Sequence, residues 1–375
     1  MVDRIWFNVK VYCVLWFNID LPVVVRVSGF KYMWYKTWGN YKDGLLQPYM
    51  LECPIPTEYN HLVPLSMSLI EQPCYQPTNN LRVINKQPVN GKKNDFVVCV
   101  KGLLYGNNDQ SVRLIEWLEV LFQLGANKVV IYDLNIPYNM TRVLNYYQKR
   151  GQVQVIPLTL PGYLPNLASI MSQYLKRKYT TKRQNEVIPY NDCLYNNMNL
   201  YKFVVLLDTD EFIMPRKAKS WKDVISLVAP KALSGQEHTK SSYCARNIYF
   251  LDSMQKKQTT SKYIPKFMYF TNNLYRAVNY TKPGAYVKCY HDTERVLTLH
   301  NHYPFSCLRD HCSNPSIPTT IAHLQHYRSG CVNELKKQCH IFLNKTRVDD
   351  GITRFSKAIV HNSLRTLRHL GMFMG

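Results

Sequence analysis

The strongest structural constraint in this sequence is a run of five apolar residues, 203–207, that is followed at once by acidic side chains. A strand without polar alternation is buried on both faces, which is typical of a central strand in a parallel sheet. The next four residues, 208–211, read Asp-Thr-Asp-Glu and place three carboxylates where this strand ends. The sequence therefore predicts a central strand with an acidic cluster at its carboxyl end.

Strand and helix patterns alternate in the part of the chain that precedes this run. Such alternation indicates crossover units and a parallel sheet, in which ligands bind outside the carboxyl ends of the strands. A further helix is predicted over 186–200, with Pro189 in its first turn. The alternating elements are strand 95–101, helix 112–124, strand 128–132, helix 141–150 and strand 152–156.

The amino-terminal part has a different character. Residues 1–92 are rich in Pro, aromatic residues and short β-branched runs, and they predict a β-rich module with its linker. Residues 93–375 then form the α/β domain with a mainly parallel central sheet. Alternation over residues 4–11 indicates a strand rather than a signal peptide or membrane anchor. We therefore expect a targeting segment that this sequence does not include.

The formal net charge of +22 predicts an anionic partner. The basic residues are scattered, and no zinc-finger, recognition-helix or RNA-binding motif accompanies them, so we predict no nucleic-acid partner. Most of the charge is interpreted as a solvated surface with one local anion site. The densest basic cluster lies at 176–183.

Eleven cysteines and three glycosylation sequons, at Asn139, Asn279 and Asn344, favour a secretory compartment. The odd number of cysteines leaves at least one thiol free or intermolecular. No C-x-x-C pair is present, which argues against a zinc ribbon. Disulfides are expected in the late group, which consists of Cys307, Cys312, Cys331 and Cys339.

The acidic cluster suits a hard divalent cation, because closely spaced carboxylates repel one another until a cation compensates them. On extended backbone Asp208 and Asp210 point the same way, so one can hold the metal while the other holds a ribose hydroxyl or bound water. The simpler interpretation is that these side chains only cap the next element. Their position after an all-apolar strand favours a site.

Several separated segments resemble glycosyltransferase family 92. This resemblance implies a GT-A fold and an inverting transfer, with Mn²⁺ or Mg²⁺, of galactose from UDP-galactose to a glycoprotein glycan, as in β-1,4-galactosyltransferases. It also implies a Golgi membrane enzyme that acts on the lumenal side, with membrane association through a segment absent from this chain. The segments are 112–118, 158–162, 182–186, 191–195, 201–203, 206–215 and 300–304.

The resemblance also implies roles for individual residues. Asp210 corresponds to the metal ligand, and Asp208 to the residue that faces ribose and metal-bound water. As alternatives, Asp133 is a turn residue, Arg183 belongs to a solvated basic loop and Asp192 is an ordinary polar helix residue. The expected donor-binding side chains are Lys101, Asp133, Arg183 and Asp192.

A late histidine often completes a GT-A metal site. His300 and His302 are two residues apart after an apolar run, and on a strand this spacing puts both rings on one face. His326 is a third candidate, and for each the alternative is a structural histidine. An inverting transfer also requires a general base, for which Glu211 and Glu294 are available; the sequence does not choose between them.

The sequence is also compatible with two other classes of function. One is a metal-dependent hydrolase or phosphotransferase that uses the same carboxylates, although its usual additional ligand motifs are absent. The other is a non-enzymatic protein that binds glycans or nucleic acid through its basic surface. Binding of a donor nucleotide that requires Mn²⁺ favours the transferase, whereas salt-sensitive binding to DNA favours the last class.

Overall fold

The computed structural model describes residues 9–39, 45–255, 263–308 and 311–372. The first part of the strand predicted over residues 4–11 lies outside these ranges. Within them the chain forms nineteen β-strands and eight α-helices. The strands are β1 (Tyr12–Trp16), β2 (Val23–Arg26), β3 (Gly29–Tyr32), β4 (Tyr49–Glu52), β5 (Ser66–Ile70), β6 (Leu81–Arg82), β7 (Asn94–Leu104), β8 (Lys128–Asn135), β9 (Val153–Pro157), β10 (Tyr201–Leu206), β11 (Glu211–Pro215), β12 (Ser242–Ala245), β13 (Asn247–Leu251), β14 (Tyr275–Ala277), β15 (Lys288–Asp292), β16 (Val296–Leu299), β17 (Pro304–Cys307), β18 (Ala322–Arg328) and β19 (Thr346–Val348). The helices are α1 (Ser111–Leu124), α2 (Tyr138–Lys149), α3 (Ala168–Arg177), α4 (Tyr179–Asn197), α5 (Trp221–Val228), α6 (Pro230–Ser234), α7 (Cys339–Leu343) and α8 (Ser356–His369).

The chain divides into two compact units. The first contains residues 1–87 and 159–188, and the second contains residues 88–158 and 189–375. The segment 159–188 thus belongs to the first unit, although it lies inside the second of the two domains expected from the sequence.

The first unit is rich in β-structure, as the sequence predicts. An antiparallel sheet has the strand order β2-β1-β5-β6, and β3 pairs separately with β4. Because alternate side chains of a strand point to the same face, Cys13 and Leu15 of β1 enter one small core together with Phe17 and Val27. The disulfide between Cys13 and Cys53 closes this core.

The second unit contains the predicted α/β sheet. Its strand order is β12-β15-β10-β7-β8-β9, and the four strands β10, β7, β8 and β9 are parallel to one another. Residues 203–206 of the apolar run belong to β10, which lies inside the sheet as expected. One of its neighbours, β15, is antiparallel, so β10 is parallel to only one of its two neighbours. The fold class is therefore the predicted one: α/β with a mainly parallel central sheet.

Helix α1 covers one face of this sheet. Leu114, Leu118 and Leu121 repeat at helical spacing and all lie in the main hydrophobic core. The helix ends where Gly125 adopts a left-handed conformation with φ of 110°, and its N–H donates to the carbonyl of Leu121 at 3.1 Å. A residue without Cβ adopts this conformation without steric cost, so the predicted glycine stop is confirmed.

A three-stranded sheet of order β11-β18-β13 determines which residues face the acidic cluster. β11 begins at Glu211 and pairs in antiparallel register with β18, which places Glu211 opposite His326. On its other side β18 is parallel to β13, and Tyr249 is the partner of His326 there. Strand pairing thus brings a histidine from the last third of the sequence next to the carboxylates.

Helix α4 differs from the prediction in its start. It begins at Tyr179 rather than near residue 186, so Pro189 lies in its interior and not in its first turn. Proline is compatible with helical φ and removes one backbone hydrogen bond, and here the helix continues through it. Helix α4, with 19 residues, is the longest helix within the described ranges.

None of the helices in these ranges could cross a membrane, because none is both long enough and apolar enough. This includes α4, which carries several charged residues.

Ten of the eleven cysteines form disulfides. The late group pairs as Cys307–Cys312 and Cys331–Cys339, which agrees with the prediction for these four residues. The remaining thiol belongs to Cys74, which is exposed. The other pairs are Cys13–Cys53, Cys99–Cys193 and Cys244–Cys289.

Peptide mapping of protein secreted from eukaryotic cells tests this pairing. We expect the unreduced protein to yield five linked peptide pairs and a single alkylated cysteine, Cys74. The same digest after reduction is the control, since it should release all eleven cysteines for alkylation. If Cys307, Cys312, Cys331 and Cys339 were all alkylated without reduction, an oxidising compartment would lose its main support.

Candidate active site

Asp208 and Asp210 lie in the turn between β10 and β11, at the carboxyl end of β10, and Glu211 is the first residue of β11. The N–H of Glu211 donates to the carbonyl oxygen of Asp208 at 3.2 Å, which closes the turn. The prediction that Asp208 and Asp210 lie on extended backbone and point the same way is therefore wrong. A turn reverses the chain, so the two side chains face different neighbours.

Asp208 is held by two lysines. The Nζ atom of Lys101, on β7, lies 2.9 Å from Oδ1, and the Nζ atom of Lys288, on β15, lies 3.6 Å from Oδ2. The side chain of Lys288 is only 1% exposed, whereas those of Asp208 and Lys101 are each 21% exposed. The first carboxylate of the cluster is thus neutralised by ammonium groups of the chain itself.

Glu211 points into the protein and supports the turn from inside. Its Oε1 atom lies 2.8 Å from Nζ of Lys288 and accepts a hydrogen bond from the N–H of Asp208 at 3.0 Å. The indole N–H of Trp117 donates to the carbonyl oxygen of Glu211 at 3.0 Å. Burial raises the pKa of Glu211, although Lys288 and His326 act in the opposite direction. Glu211 is therefore bound on several sides.

Asp210 faces His326. Its Oδ2 atom lies 3.5 Å from Nε2 of His326, and the N–H of Tyr327 donates to the backbone carbonyl of Asp210 at 2.8 Å. Partial burial acts against ionisation, but His326 and Arg328 hold the pKa of Asp210 below its ordinary value. The side chain of Asp210 is 31% exposed, so solvent and ligands can reach it.

The ring of His326 is oriented for binding a ligand. Its Nδ1 atom lies 3.1 Å from Oδ1 of Asn247 and 3.6 Å from Oε2 of Glu211, so both neighbours of this nitrogen are oxygen acceptors. When Nδ1–H donates and the ring is neutral, Nε2 carries a lone pair; this atom is buried and has no hydrogen-bond partner among the described residues. A metal-binding histidine typically has this arrangement, because a hydrogen bond at one ring nitrogen orients the other.

The donor set fits a divalent cation. Asp210, Glu211 and His326 each offer a ligand atom, and these atoms lie within 4.8 Å of one another. Mg²⁺ is bound almost entirely by oxygen, whereas imidazole nitrogen is a good ligand for transition metals. The histidine therefore favours Mn²⁺ over Mg²⁺.

His300 and His302 flank Asn301, which binds Lys288, but neither belongs to this donor set. β16 ends at Leu299, so both residues belong to the turn before β17 rather than to a strand. Their ring centroids are 5.9 Å apart, but the group of possible metal ligands described above includes neither ring. His302 is held at Nδ1 by the carbonyl oxygen of Val287 at 3.0 Å, and burial lowers its pKa well below the usual value.

Two of the predicted donor-binding residues lie at the expected edge of the sheet. Lys101 and Asp133 lie towards the carboxyl ends of β7 and β8, and Leu103 is the strand partner of Asp133. Lys101 is bound to Asp208, as described above. Asp133 is half-buried, and this burial raises its pKa.

The other two predicted donor-binding residues are engaged by neighbouring side chains. Asp192, on α4, accepts a short hydrogen bond from the hydroxyl of Tyr132. Arg183 belongs to the first unit, where its Nη1 atom lies 2.8 Å from a carboxylate oxygen of Glu186 and its Nη2 donates to the hydroxyl of Tyr179 at 2.6 Å. Contact of either residue with a donor stays a prediction.

Neither candidate for the general base is free at the cluster. Glu294 forms an ion pair with Lys93 at 3.0 Å. Glu294 lies two residues after Asp292, which pairs with Phe203 in the first half of β10. Glu294 is therefore at the opposite end of β10 from the acidic turn. Glu211 is buried in the protein and forms an ion pair with Lys288. The base stays unassigned.

Three residues of the site were not identified from the sequence. The hydroxyl of Tyr105 contacts Oγ1 of Thr209 at 2.5 Å, and Arg113 donates to the carbonyl oxygen of Tyr327 at 3.2 Å. The third residue, Lys288, is the one that the sequence does signal. It interrupts the otherwise mostly apolar run 285–290, and a lysine inside a buried strand requires an acidic partner.

Comparisons with known proteins give one family and several distant relatives. The model of glycosyltransferase family 92 matches residues 94–363. The "Beta-1,4-galactosyltransferase galt-1" of Caenorhabditis elegans is 21% identical over 301 residues, which are 78% of this chain and 62% of that protein. The chain thus spans less than two thirds of the length of this relative.

Solved structures show only weak similarity. TarS residues 1–349 of S. aureus match with 12% identity and a TM-score of 0.28, covering 73% of this chain and 72% of that one. The mannosyltransferase PcManGT of Pyrobaculum calidifontis, in complex with GDP-Man and Mn²⁺, matches with 8% identity and a TM-score of 0.30, covering 76% and 77%. Similarity at this level is too weak to indicate a function for this chain.

Proposed function

Because the chain belongs to glycosyltransferase family 92 and is thus a glycosyltransferase, we propose that it transfers a sugar from a UDP-sugar to a glycan with a divalent metal ion. The observation that carries the metal part of this proposal is the buried Nε2 of His326, which has no hydrogen-bond partner among the described residues and lies 3.5 Å from a carboxylate oxygen of Asp210. Both residues lie next to the carboxyl end of β10, which is where ligands bind in open α/β sheets.

The residues of the site suit the chemistry of such a transfer. A divalent metal ion held there would supply Lewis-acid stabilisation of the diphosphate leaving group. Asp210 and His326 would hold the ion. Lys101 and Lys288 neutralise Asp208, which lowers the electrostatic repulsion that an incoming diphosphate would otherwise meet. Inversion requires an additional base near the acceptor hydroxyl.

The identities of donor and acceptor are parts of the same proposal. Galactose from UDP-galactose is supported by the name of the C. elegans relative, which is 21% identical. A glycoprotein glycan as acceptor and a location in the Golgi lumen follow from the resemblance described above. Five disulfides and three sequons are consistent with such an oxidising, glycosylating compartment.

A screen of UDP-sugars tests the proposed function. The protein is incubated with each donor and a mixed N-glycan acceptor, in Mn²⁺, in Mg²⁺ and in EDTA, and the glycan product is identified by mass spectrometry. We expect product with UDP-galactose in Mn²⁺, less in Mg²⁺ and none in EDTA. Release of free sugar or phosphate without a glycan product would favour the hydrolase alternative, and equal product in EDTA would refute metal dependence.

A separate experiment tests where the nucleotide of the donor binds. If the carboxylate of Asp133 contacts the uridine, Asp133→Ala should weaken UDP binding in Mn²⁺ about tenfold, which is the usual effect of losing one hydrogen bond to a charged group. Arg183→Ala should weaken it similarly if the guanidinium contacts diphosphate. Isothermal titration measures both. The matched control is Asp95→Ala, because Asp95 lies at the amino end of β7 and pairs with Lys202 at 3.5 Å. Parental affinity in both variants would show that the nucleotide lies elsewhere.

A further inference from the structure

The ammonium group of Lys288 is surrounded by three oxygen atoms of the chain. These are Oδ1 of Asn301 at 2.5 Å, Oε1 of Glu211 at 2.8 Å and Oδ2 of Asp208 at 3.6 Å. Two of the three carry negative charge, and the lysine side chain is 1% exposed. An oxygen-lined, buried and acidic position of this kind is what a hard cation would occupy. In this chain an ammonium group occupies it.

The surroundings hold this ammonium group in place. Lys288 is the first residue of β15, and β15 lies between β10 and β12 inside the sheet. The next residue, Cys289, forms a disulfide with Cys244 of β12. Asn301 is itself fixed, because its Oδ1 atom also accepts a hydrogen bond from the hydroxyl of Tyr190 at 2.9 Å. Lys288 and the three oxygen atoms around it therefore all come from rigid parts of the second unit.

The two sides of the acidic cluster therefore differ. On one side Asp208 and Glu211 share an internal cation. On the other side Asp210 and the Nε2 atom of His326 face each other at 3.5 Å, with no ammonium group within ion-pair distance of that carboxylate among the described residues. Enzymes that hydrolyse or transfer phosphate with two metal ions place both ions in one acidic cluster. Here one of the two positions is filled by protein.

We propose that Lys288 takes the place of a second metal ion and restricts this centre to a single divalent cation, on Asp210 and His326. The proposal rests on the proposed function in one respect, namely that this cation is bound. It makes Lys288 a positioning residue, which orients Asp208 and Glu211 and does not touch the reacting atoms. It also explains why this acidic cluster would support sugar transfer rather than two-metal phosphate chemistry.

The number of Mn²⁺ ions bound by the full chain tests the proposal without measuring activity. Lys288→Ala removes the ammonium group and leaves room for an ion among the three oxygens, whereas Lys288→Met removes the charge but keeps most of the side-chain volume. Titration of Mn²⁺, followed by the electron paramagnetic resonance signal of the free ion, gives the stoichiometry. We expect one Mn²⁺ in the parent and in Lys288→Met, and two in Lys288→Ala.

Transfer rates should separate positioning from simple loss of structure. Both variants should transfer sugar at least about tenfold more slowly, because the carboxylates that Lys288 orients are no longer held in one arrangement. Lys288→Ala should at the same time bind more Mn²⁺ than the parent, a gain that damage to the structure would not produce. A folded Lys288→Ala protein that binds no more Mn²⁺ than the parent would overturn the proposal.

Loss of a buried charge partner also affects stability, and this provides a second measurement. Lys288→Ala leaves the buried carboxylate of Glu211 without its ammonium partner beside the half-buried Asp208, so its melting temperature should fall in EDTA and recover in Mn²⁺. The double variant Glu211→Gln/Lys288→Ala should melt nearer the parent in EDTA and lose the second ion. A melting temperature of Lys288→Ala that Mn²⁺ does not raise would count against the proposal.

The same titration distinguishes failure of this proposal from failure of the proposed function. If the parent binds no Mn²⁺ while Lys288→Ala binds one ion, the cation on Asp210 and His326 and with it metal-dependent transfer fail, whereas the exclusion of a cation from the position of Lys288 stands. If the parent binds one ion and Lys288→Ala also binds one, the role proposed for Lys288 fails and the proposed metal site of the parent stands. If neither protein binds Mn²⁺, both proposals fail.

Discussion

Asp210→Asn should reduce the rate of sugar transfer by about 100-fold or more, because it removes charge stabilisation that acts on the leaving diphosphate. The substitution keeps the size of the side chain and removes its charge. Asp210 is the most exposed carboxylate of the cluster, with 31% of its side chain accessible, and no lysine neutralises it within the described residues. Transfer rate measured against Mn²⁺ concentration should show both a lower maximum and a higher Mn²⁺ requirement.

Asp208→Asn is the matched comparison for this variant. Asp208 is already bound by Lys101 and Lys288, so its loss should slow transfer less and change the Mn²⁺ requirement little. Melting temperature serves as the folding control, and Asp210→Asn should melt close to the parent because its carboxylate is partly exposed. A folded Asp210→Asn protein with near-parental rate and Mn²⁺ dependence would show that the acidic turn is only a cap.

His326→Gln should weaken Mn²⁺ binding by at least about tenfold, the lower end of what disturbing a metal site costs. The Nε2 atom of His326 is buried beside Asp210 and has no hydrogen-bond partner among the described residues. Its removal takes away the nitrogen ligand of the group formed by Asp210, Glu211 and His326. Direct titration of Mn²⁺ in the absence of donor measures this affinity, and the transfer rate should fall with it.

His300→Gln and His302→Gln are the matched controls for this measurement. Both histidines fit the sequence prediction of a late metal ligand, but the structure places neither in the group formed by Asp210, Glu211 and His326. We expect these two variants to bind Mn²⁺ with parental affinity. If His302→Gln lost Mn²⁺ affinity and His326→Gln retained it, the assignment of the metal site would be reversed.

Local patterns in the sequence were sufficient for the strand that precedes the acidic cluster and for the helix that covers the sheet. The apolar run before Asp208 predicts β10, and the helical repeat that ends at Gly125 predicts α1. Both patterns report burial of a segment, which depends on the spacing of its own residues. The carboxyl edge of the sheet, with Lys101 and Asp133, follows from strand order in the same way. The interior position of Pro189 in α4 was not predictable, because neighbouring structure overrides local propensity there.

The sequence by itself determined that an α/β sheet presents Asp208, Asp210 and Glu211 at a strand end. Only the tertiary structure decided which side chains meet them. Antiparallel pairing of β11 with β18 places His326 opposite Glu211, and β15 brings Lys288 between two carboxylates. Strand register between distant segments has no signature in the spacing of either segment, since it depends on which faces can be buried together. For that reason the sequence supplied three candidate histidines, and the fold selected one.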